Sequence, residues 1–272
     1  MVLLTAVSAA AQQQQAPTAA YELPQFDVVF VLDTTSSMSG LIEGAKEKIW
    51  SIASRMASGK PAPRIRIGLV AFRDKGDAYV TKPFGLTTDL DAVYRNLRGL
   101  SAQGGGDTPE HVGKGLGDAV ELMQWHEGQR TAKMIFLVGD APQHDDYGDG
   151  FNLEDVARRA IKRGIVVNTI RCGQDPATEK AFRAVARIAD GTFTTIGQTG
   201  GMVKVETPFD SKLEAMSDTL AGKNLYGGTP SGRAAGDART REVVNLSGSS
   251  AADRLSYRAK AAVCLLYTSR CV

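Results

Sequence analysis

Short apolar runs alternate along this chain with segments in which apolar residues recur every three or four positions. The first run, Phe26–Leu32, is continuous and rich in Val and Phe, which predicts a buried strand ending at Asp33. A helical stripe then follows, formed by Leu41, Ala45, Ile49, Ile52 and Met56, and it stops before Gly59 and Pro61. The pattern therefore opens with a strand and a helix.

The same alternation continues for most of the chain. Further strands are predicted at Arg64–Phe72, Tyr79–Leu86, Met134–Val138, Ile165–Ile170 and Thr192–Ile196. Further helices are predicted over Leu90–Leu97, from Pro109 with Thr108 as its cap, and over Leu153–Lys162, Thr178–Ala189 and Ser211–Leu220. Only the polar turn Arg73–Asp77 separates the second strand from the third, which predicts an antiparallel hairpin. We expect an α/β, doubly wound, mainly parallel sheet with helices on both faces.

Composition and charge argue against some classes of function. The 272 residues are 43% hydrophobic, enough to bury the core of an ordinary domain. Lys and Arg total 32 against 30 Asp and Glu, a formal charge of +2, and the two signs are interspersed. This pattern predicts no nucleic-acid partner. Because no apolar run approaches the roughly 20 residues that cross a bilayer, we expect no transmembrane segment in this chain.

Both ends differ in composition from the middle. Val2–Ala11 is apolar and offers an Ala-x-Ala cleavage pattern before a run of four Gln, so residues 1–20 are predicted to be a signal-peptide remnant and disordered leader. This predicts an exported, periplasmic or secreted protein; a disordered tail on a cytoplasmic protein is the alternative. Residues 21–222 are expected to form one domain. Residues 223–263, rich in Gly, Ser, Thr, Ala and Arg, are expected to be a polar linker or truncated C-terminal region.

The last nine residues have an unusual coding relation. Tyr267–Ser269 can be encoded as TACACATCT, whose reverse complement, AGATGTGTA, encodes Arg270–Val272. We therefore expect residues 264–272 to be a sequencing-adapter artefact rather than natural protein. Excluding Cys264 and Cys271 leaves Cys172 alone, and a buried, unpaired thiol is expected there.

Polar side chains gather where predicted strands end. Asp33–Ser37 follows the first strand, Thr108 follows the Gly-rich loop 103–106, and Asp140 follows Met134–Val138. Ligands of open α/β sheets bind at the carboxyl ends of strands, where the strand order reverses. Hydroxyl and carboxylate oxygens suit a hard divalent cation. The candidate metal ligands are Asp33, Thr35, Ser37, Thr108 and Asp140, for Mg²⁺ or Mn²⁺ in preference to Ca²⁺, with Asp33 expected at a surface-facing strand end.

These five residues resemble the pattern of a von Willebrand factor type A (VWA) domain with a metal-ion-dependent adhesion site (MIDAS): Asp-x-Ser-x-Ser, then Thr, then Asp. Thr35 replaces a Ser of that pattern and keeps its hydroxyl. The resemblance runs from about Phe26 to Leu220. It implies a six-stranded sheet of order 3-2-1-4-5-6 with the third strand antiparallel, and closer metal contact for the three hydroxyls than for the two aspartates. Residues 139–147 further resemble bacterial exported members of the family.

The resemblance implies a non-enzymatic, metal-dependent protein-binding module for adhesion or assembly, which captures an Asp or Glu of a partner protein through the ion. One alternative is a Mg²⁺-dependent hydrolase or phosphotransferase with Asp33 as nucleophile, although the second Asp of an Asp-x-Asp pattern is missing. Another is an intracellular factor that contacts an ATPase partner. The sequence also leaves open whether His144, Asp145, Asp146 and Asp149 form a second metal site or a solvated loop.

Overall fold

A six-stranded sheet organises the part of the chain that the computed structural model describes, which comprises residues 25–57, 63–106, 108–128 and 131–196. The strands are β1 (Gln25–Asp33), β2 (Arg64–Phe72), β3 (Thr81–Thr87), β4 (Thr131–Gly139), β5 (Ile165–Cys172) and β6 (Phe193–Ile196). Their spatial order is β3-β2-β1-β4-β5-β6. Only the β2–β3 pair is antiparallel, and the other four pairs are parallel. The predicted fold class, strand order and hairpin are confirmed.

Five α-helices and a short 3-10 helix connect these strands. The 3-10 helix is Ser36–Gly40, and the α-helices are α1 (Ile42–Ala57), α2 (Leu90–Arg98), α3 (Val112–Glu121), α4 (Leu153–Lys162) and α5 (Pro176–Ile188). α5 begins two residues earlier than predicted because Asp175 caps it, accepting a hydrogen bond from the Thr178 backbone at 2.6 Å. Within the described ranges, none of these helices is long and apolar enough to cross a membrane.

Several predictions fall outside the described residues. These are the leader 1–20, the helix Ser211–Leu220, the linker 223–263 and the segment 264–272. They stay predictions.

The start of α3 differs from the prediction. The helix begins at Val112 with His111 as its N-cap, rather than at Pro109 with Thr108 as its cap. The reason is tertiary: the Glu110 amide donates to the Pro142 carbonyl at 2.9 Å, and the Glu110 carbonyl accepts from the His144 amide at 3.1 Å. This pairing holds Glu110 extended against the loop that follows β4. Two loops at the carboxyl edge of the sheet are thereby joined through their backbones.

Strand β1 contributes to the hydrophobic core on both faces of the sheet. Val28, Phe30 and Leu32 pack on the face covered by α1 and α2. Val29 and Val31 pack on the opposite face, against α3, α4 and α5. All five side chains are fully buried. Seven successive residues ending at Asp33 are therefore buried, as expected for a central strand of a parallel sheet.

Glycines let α3 approach its neighbours closely. A Cβ atom on Gly115 would lie 2.8 Å from the ring of Phe72 in β2, so glycine is needed for contact with the sheet. A Cβ on Gly113 would lie 1.8 Å from the Phe151 carbonyl oxygen, in the loop before α4. This helix therefore packs closely against the sheet. The same packing positions the residues just before α3, beside the ends of β1 and β4.

Replacing Gly113 with Ala should destabilise the fold strongly. The added methyl group would collide with backbone rather than a movable side chain, so we expect the free energy of unfolding to fall by more than about 2 kcal/mol, although Ala favours helix. Gly85→Ala is the matched control, because a Cβ there meets nothing within 4 Å. Urea denaturation measures both. Equal stability of the two variants would show that α3 does not pack this closely.

Candidate metal site

The turn after β1 brings three of the predicted ligands together. The Thr35 backbone amide and hydroxyl both donate to Asp33 Oδ1, at 2.9 and 2.7 Å. The Thr35 and Ser37 hydroxyl oxygens lie 3.1 Å apart. Thr35 is the N-cap of the short 3-10 helix that follows, so the turn that starts this helix also sets the hydroxyl positions. Alternate residues 33, 35 and 37 therefore point into one site.

Asp140 joins this group from the end of β4. The Ser37 hydroxyl donates to Asp140 Oδ1 at 2.9 Å. Register explains the meeting, because Leu32 of β1 pairs with Val138 of β4, so the residues that follow lie at the same edge of the sheet. Burial raises the pKa of Asp140, and the Ser37 hydrogen bond opposes part of the rise. A continuous set of hydrogen bonds thus links four of the five predicted ligands.

Asp33 is fully buried, so its expected place at a surface-facing strand end is wrong. The cause is the position of β1 between β2 and β4, with both faces of the sheet covered. Its second carboxylate oxygen, Oδ2, is buried without a hydrogen-bond partner. Burial, and then the charge of Asp140, raise the pKa of Asp33 to about 7.

This environment fits a divalent cation. A buried carboxylate oxygen without a donor is costly, and a bound cation would satisfy it. Gly139 leaves room beside that oxygen, since a Cβ there would stand 3.2 Å from Asp33 Oδ2. Neutral hydroxyls of Thr35 and Ser37 adjoin the two carboxylates and supply further hard oxygen donors. The residues present therefore match the chemistry of the predicted ion.

The fifth predicted ligand, Thr108, is placed differently. Its side chain is exposed. None of the hydrogen bonds formed among the described residues joins Thr108 to Asp33, Thr35, Ser37 or Asp140. Its role at the metal site stays a prediction.

Glu110 lies beside the site and was missed by the sequence analysis. Its side chain is only 2% exposed, and its Oε2 has no hydrogen-bond partner. Glu110 and Thr35 both lie close to Gly105. A Cβ atom placed on Gly105 would be 2.9 Å from Glu110 Oε1 and 3.1 Å from Thr35 Cβ. Burial, followed by the charges of Asp33 and Asp74, raises the pKa of Glu110 to about 8. The only sequence signal was an acidic residue two positions after Thr108.

Hydrogen bonds between loops fix the positions of the residues around the site. The carboxylate of Asp77, after β2, accepts from the Gly105 amide at 3.0 and 2.9 Å, which fixes the Gly-rich loop. The Tyr147 hydroxyl, in the loop after β4, donates to Asp74 at 2.7 and 2.6 Å. The turn after β2 has no predicted ligand, yet it joins the two loops that contain Thr108 and Asp140.

The second group of possible ligands is split between different contacts. His144 Nδ1 lies 2.8 Å from Asp146 Oδ1. Asp149 instead contacts His111 Nε2 and Lys75 Nζ, each at 2.9 Å. Throughout the described part of the chain, no group of three or more His, Cys, Asp or Glu side chains is arranged to hold a metal ion. The structure therefore adds no support for a second site at His144, Asp145, Asp146 and Asp149.

The metal-free protein should lose stability as pH rises through neutrality. Asp33 and Glu110 ionise near 3.8 and 4.5 in the unfolded chain but near 7 and 8 in the fold. Since the fold binds more protons across this interval, its free energy of unfolding falls as pH rises towards 8. We expect Tm, measured in chelator, to drop by at least about 4 °C from pH 6 to pH 8. A loss of ~1 kcal/mol in the free energy of unfolding lowers Tm by about 2–4 °C in a domain of this size. Thermal unfolding in chelator measures this.

The control for this experiment is Asp33→Asn. Burial lowers the pKa of His111, which acts in the opposite direction below neutral pH and does so equally in both proteins. The drop should be smaller in the variant. An identical pH profile for wild type and Asp33→Asn would contradict the assignment of the effect to Asp33.

Comparison with known proteins agrees with the fold. The family model described as von Willebrand factor type A domain matches residues 27–207. The rat von Willebrand factor A domain-containing protein 7 is 37% identical over 124 residues, which are 46% of this chain and 13% of that protein. A putative ariadne-like RING finger protein of Acanthamoeba polyphaga mimivirus is 26% identical over 118 residues, 43% of this chain and 11% of the relative. The chain thus spans only 11 to 13% of the length of these relatives.

Among solved structures, proximal thread matrix protein 1 from the mussel byssus, with a zinc-occupied MIDAS motif, is similar in fold. Its TM-score is 0.53 at 18% identity, over 66% of this chain and 43% of that one. The family model covers well over half of the chain, in agreement with the sheet order and helix placement described above. The chain belongs to the von Willebrand factor type A domain family.

Proposed function

We propose that this chain is a divalent-metal-dependent protein-binding module of MIDAS type, with Asp33, Thr35, Ser37, Thr108 and Asp140 as metal ligands and Mg²⁺ or Mn²⁺ as the ion. VWA domains are commonly metal-dependent interaction modules. The observation that carries the proposal is the buried, unpartnered Oδ2 of Asp33 inside a hydrogen-bonded group of hydroxyls and a second carboxylate. The zinc-occupied motif of the mussel protein is consistent with this chemistry.

The geometry of the site suits the capture of an external carboxylate. Asp33 and Thr35 are buried, whereas Ser37 is exposed, so the site opens to solvent on the Ser37 side. When bound, a divalent ion supplies an electrophilic centre for an anionic oxygen. Asp33 and Asp140 would hold the cation, and the neutral hydroxyl oxygens of Thr35 and Ser37 would leave it attractive to an anionic oxygen. An Asp or Glu of a partner protein is the proposed ligand.

A binding role fits the site better than catalysis, as is general for VWA domains. A nucleophilic Asp33 would need access to substrate, but its side chain is fully buried and its Oδ1 accepts two hydrogen bonds from Thr35. His111, the buried histidine nearest in sequence to Thr108, pairs with Asp149. We propose that adhesion or assembly in an exported, periplasmic or secreted bacterial protein is the setting, supported by the apolar leader Val2–Ala11 and by residues 139–147.

Asp33→Asn should abolish metal binding while preserving the fold. The amide keeps the shape of the carboxylate but removes its charge, so affinity for Mg²⁺ or Mn²⁺ should fall by more than the roughly 10–100-fold typical of losing an outer contact. Loss of an uncompensated buried charge should also raise the stability of the metal-free variant at high pH. Asp146→Asn is the control, because that side chain is 76% exposed and lies outside the ligand group. Isothermal titration calorimetry compares them; equal affinities would reject the site.

Partner binding should require both the ion and an acidic residue of the partner. Surface binding of an identified partner is measured in Mg²⁺, in chelator, and after the partner's acidic residue is changed to its amide. We expect the binding affinity to fall at least about 10-fold in each of the last two conditions, because losing one partner of a desolvated charge pair costs ~2–5 kcal/mol of binding free energy. Thr108→Ala should also weaken binding while the metal is still held. Undiminished binding in chelator would leave an ordinary protein interface on the same fold.

A further inference from the structure

The turn that contains Thr35 is hydrogen-bonded to the Gly-rich loop through its backbone. The Gln103 amide donates to the Thr34 carbonyl at 3.0 Å, and the Ser36 amide donates to the Gly104 carbonyl at 2.9 Å. These two bonds lie on either side of Thr35, whose hydroxyl is a proposed ligand of the ion. The position of that hydroxyl therefore depends on how firmly the two loops are held together.

Arg73, directly after β2, bridges the same two segments with its side chain. Its Nε donates to the Thr34 carbonyl and its Nη2 donates to the Ser101 carbonyl, each at 3.1 Å. The residue is only 5% exposed, and its guanidinium carbon lies 4.4 Å from the centre of the Tyr79 ring. Planar donors packed against an aromatic ring leave the guanidinium little freedom to move. Arg73 therefore fixes the β1 turn relative to the chain that leads into the Gly-rich loop.

The carbonyl that Arg73 holds belongs to a peptide group of the candidate site. The Thr34 carbonyl and the Thr35 amide form one planar peptide unit. The amide of that unit donates to Asp33 Oδ1 at 2.9 Å. Fixing the carbonyl therefore fixes the direction of the amide, and with it the carboxylate that the amide holds. One peptide plane connects the buried guanidinium to two proposed metal ligands, Asp33 and Thr35.

We propose that Arg73 is a positioning residue that makes the site select Mg²⁺ over the larger Ca²⁺. The inference rests on the proposed function, and Arg73 acts only through the Thr34–Thr35 peptide. Mg²⁺ requires near-ideal octahedral geometry with oxygens at about 2.0–2.1 Å, whereas Ca²⁺ accepts oxygens at about 2.3–2.6 Å in flexible arrangements. Donors that are free to shift suit Ca²⁺, so loosening this peptide should weaken Mg²⁺ binding more than Ca²⁺ binding.

Lysine at this position separates positioning from charge. Its ammonium is a single point charge on a flexible stem. Arg73→Lys therefore keeps the positive charge but loses the planar pair of donors that spans the Thr34 and Ser101 carbonyls.

The test of the proposal is the ratio of two ion affinities in Arg73→Lys, each measured by isothermal titration calorimetry. Mg²⁺ affinity should fall about 10-fold, as is typical when an outer contact of a metal site is lost. Ca²⁺ affinity should change by less than about threefold, so the preference for Mg²⁺ over Ca²⁺ should fall by at least about threefold. A loss of stability alone would not move this ratio.

Arg66→Lys is the matched control, because Arg66 lies on the same strand and makes an equivalent pair of hydrogen bonds. Its Nε and Nη2 donate to the Asp27 carboxylate at 2.8 and 2.6 Å. Asp27 lies near the start of β1, whereas Asp33 ends that strand. Urea denaturation should show that Arg66→Lys lowers stability, and calorimetry should show both ion affinities unchanged.

The outcomes separate this inference from the proposed function. If wild type binds Mg²⁺, Asp33→Asn does not, and Arg73→Lys keeps the wild-type ratio, the role of Arg73 is overturned and the metal site stands. An equal loss of Mg²⁺ and Ca²⁺ affinity also overturns that role, because a purely structural contact predicts it. The same holds if Arg66→Lys lowers the ratio as much as Arg73→Lys does. Absence of Mg²⁺ binding by wild type would overturn both proposals.

A second pair of variants keeps the test decisive if circular dichroism shows that Arg73→Lys does not fold. Tyr79→Leu removes the ring against which the guanidinium packs. Tyr79→Phe keeps that ring and removes the hydroxyl, which lies 2.8 Å from the Thr34 hydroxyl. The ratio of Mg²⁺ to Ca²⁺ affinity should fall further in Tyr79→Leu than in Tyr79→Phe, and equal ratios in the two variants would overturn the role of Arg73.

Discussion

The burial of an acidic side chain at the end of the central strand is the constraint on which this domain's carboxyl edge depends. β1 has both of its faces covered, and its last side chain, Asp33, is excluded from solvent. One oxygen of that carboxylate is satisfied locally by Thr35, and the other has no donor. The protein therefore holds a buried carboxyl group with one unpartnered oxygen at the point where parallel strands diverge, which is where such sheets bind ligands.

Loops far apart in sequence converge on that carboxyl group because they are tied to one another. The β1 turn reaches Asp140 through Ser37, and the turn after β2 is bound to the Gly-rich loop through Asp77. Glu110 connects the start of α3 to the loop after β4 through two backbone hydrogen bonds. A site on such loops is positioned by their mutual contacts as well as by the sheet, so its geometry depends on residues that touch no ligand.

Much of the fold and of the candidate site could be predicted from the local pattern of hydrophobic and polar residues. The bounds of β2 and α4 agree with those predicted from the sequence. Each element has a clear pattern of hydrophobic residues, with residues that favour its start and end on either side. Four of the five predicted ligands converge, since strand register brings the ends of β1 and β4 together. The start of α3, the burial of Asp33 and the position of Glu110 were not predictable, because each depends on contacts with a distant loop or strand. A cap signal at Thr108 was overridden by the pairing of Glu110 with the loop after β4.

The side chains of β1 alternate between the two faces of the sheet, and this alternation bears on how the domain unfolds. Val28, Phe30 and Leu32 belong to the core under α1 and α2, and Val29 and Val31 belong to the core under α3, α4 and α5. Neither core can come apart while the other keeps its central strand intact, so the two should melt together in one cooperative transition. Asp33 ends that shared strand. Occupancy of the site by a cation that binds only the native state would consequently stabilise both cores at once, although it touches only one edge of the sheet.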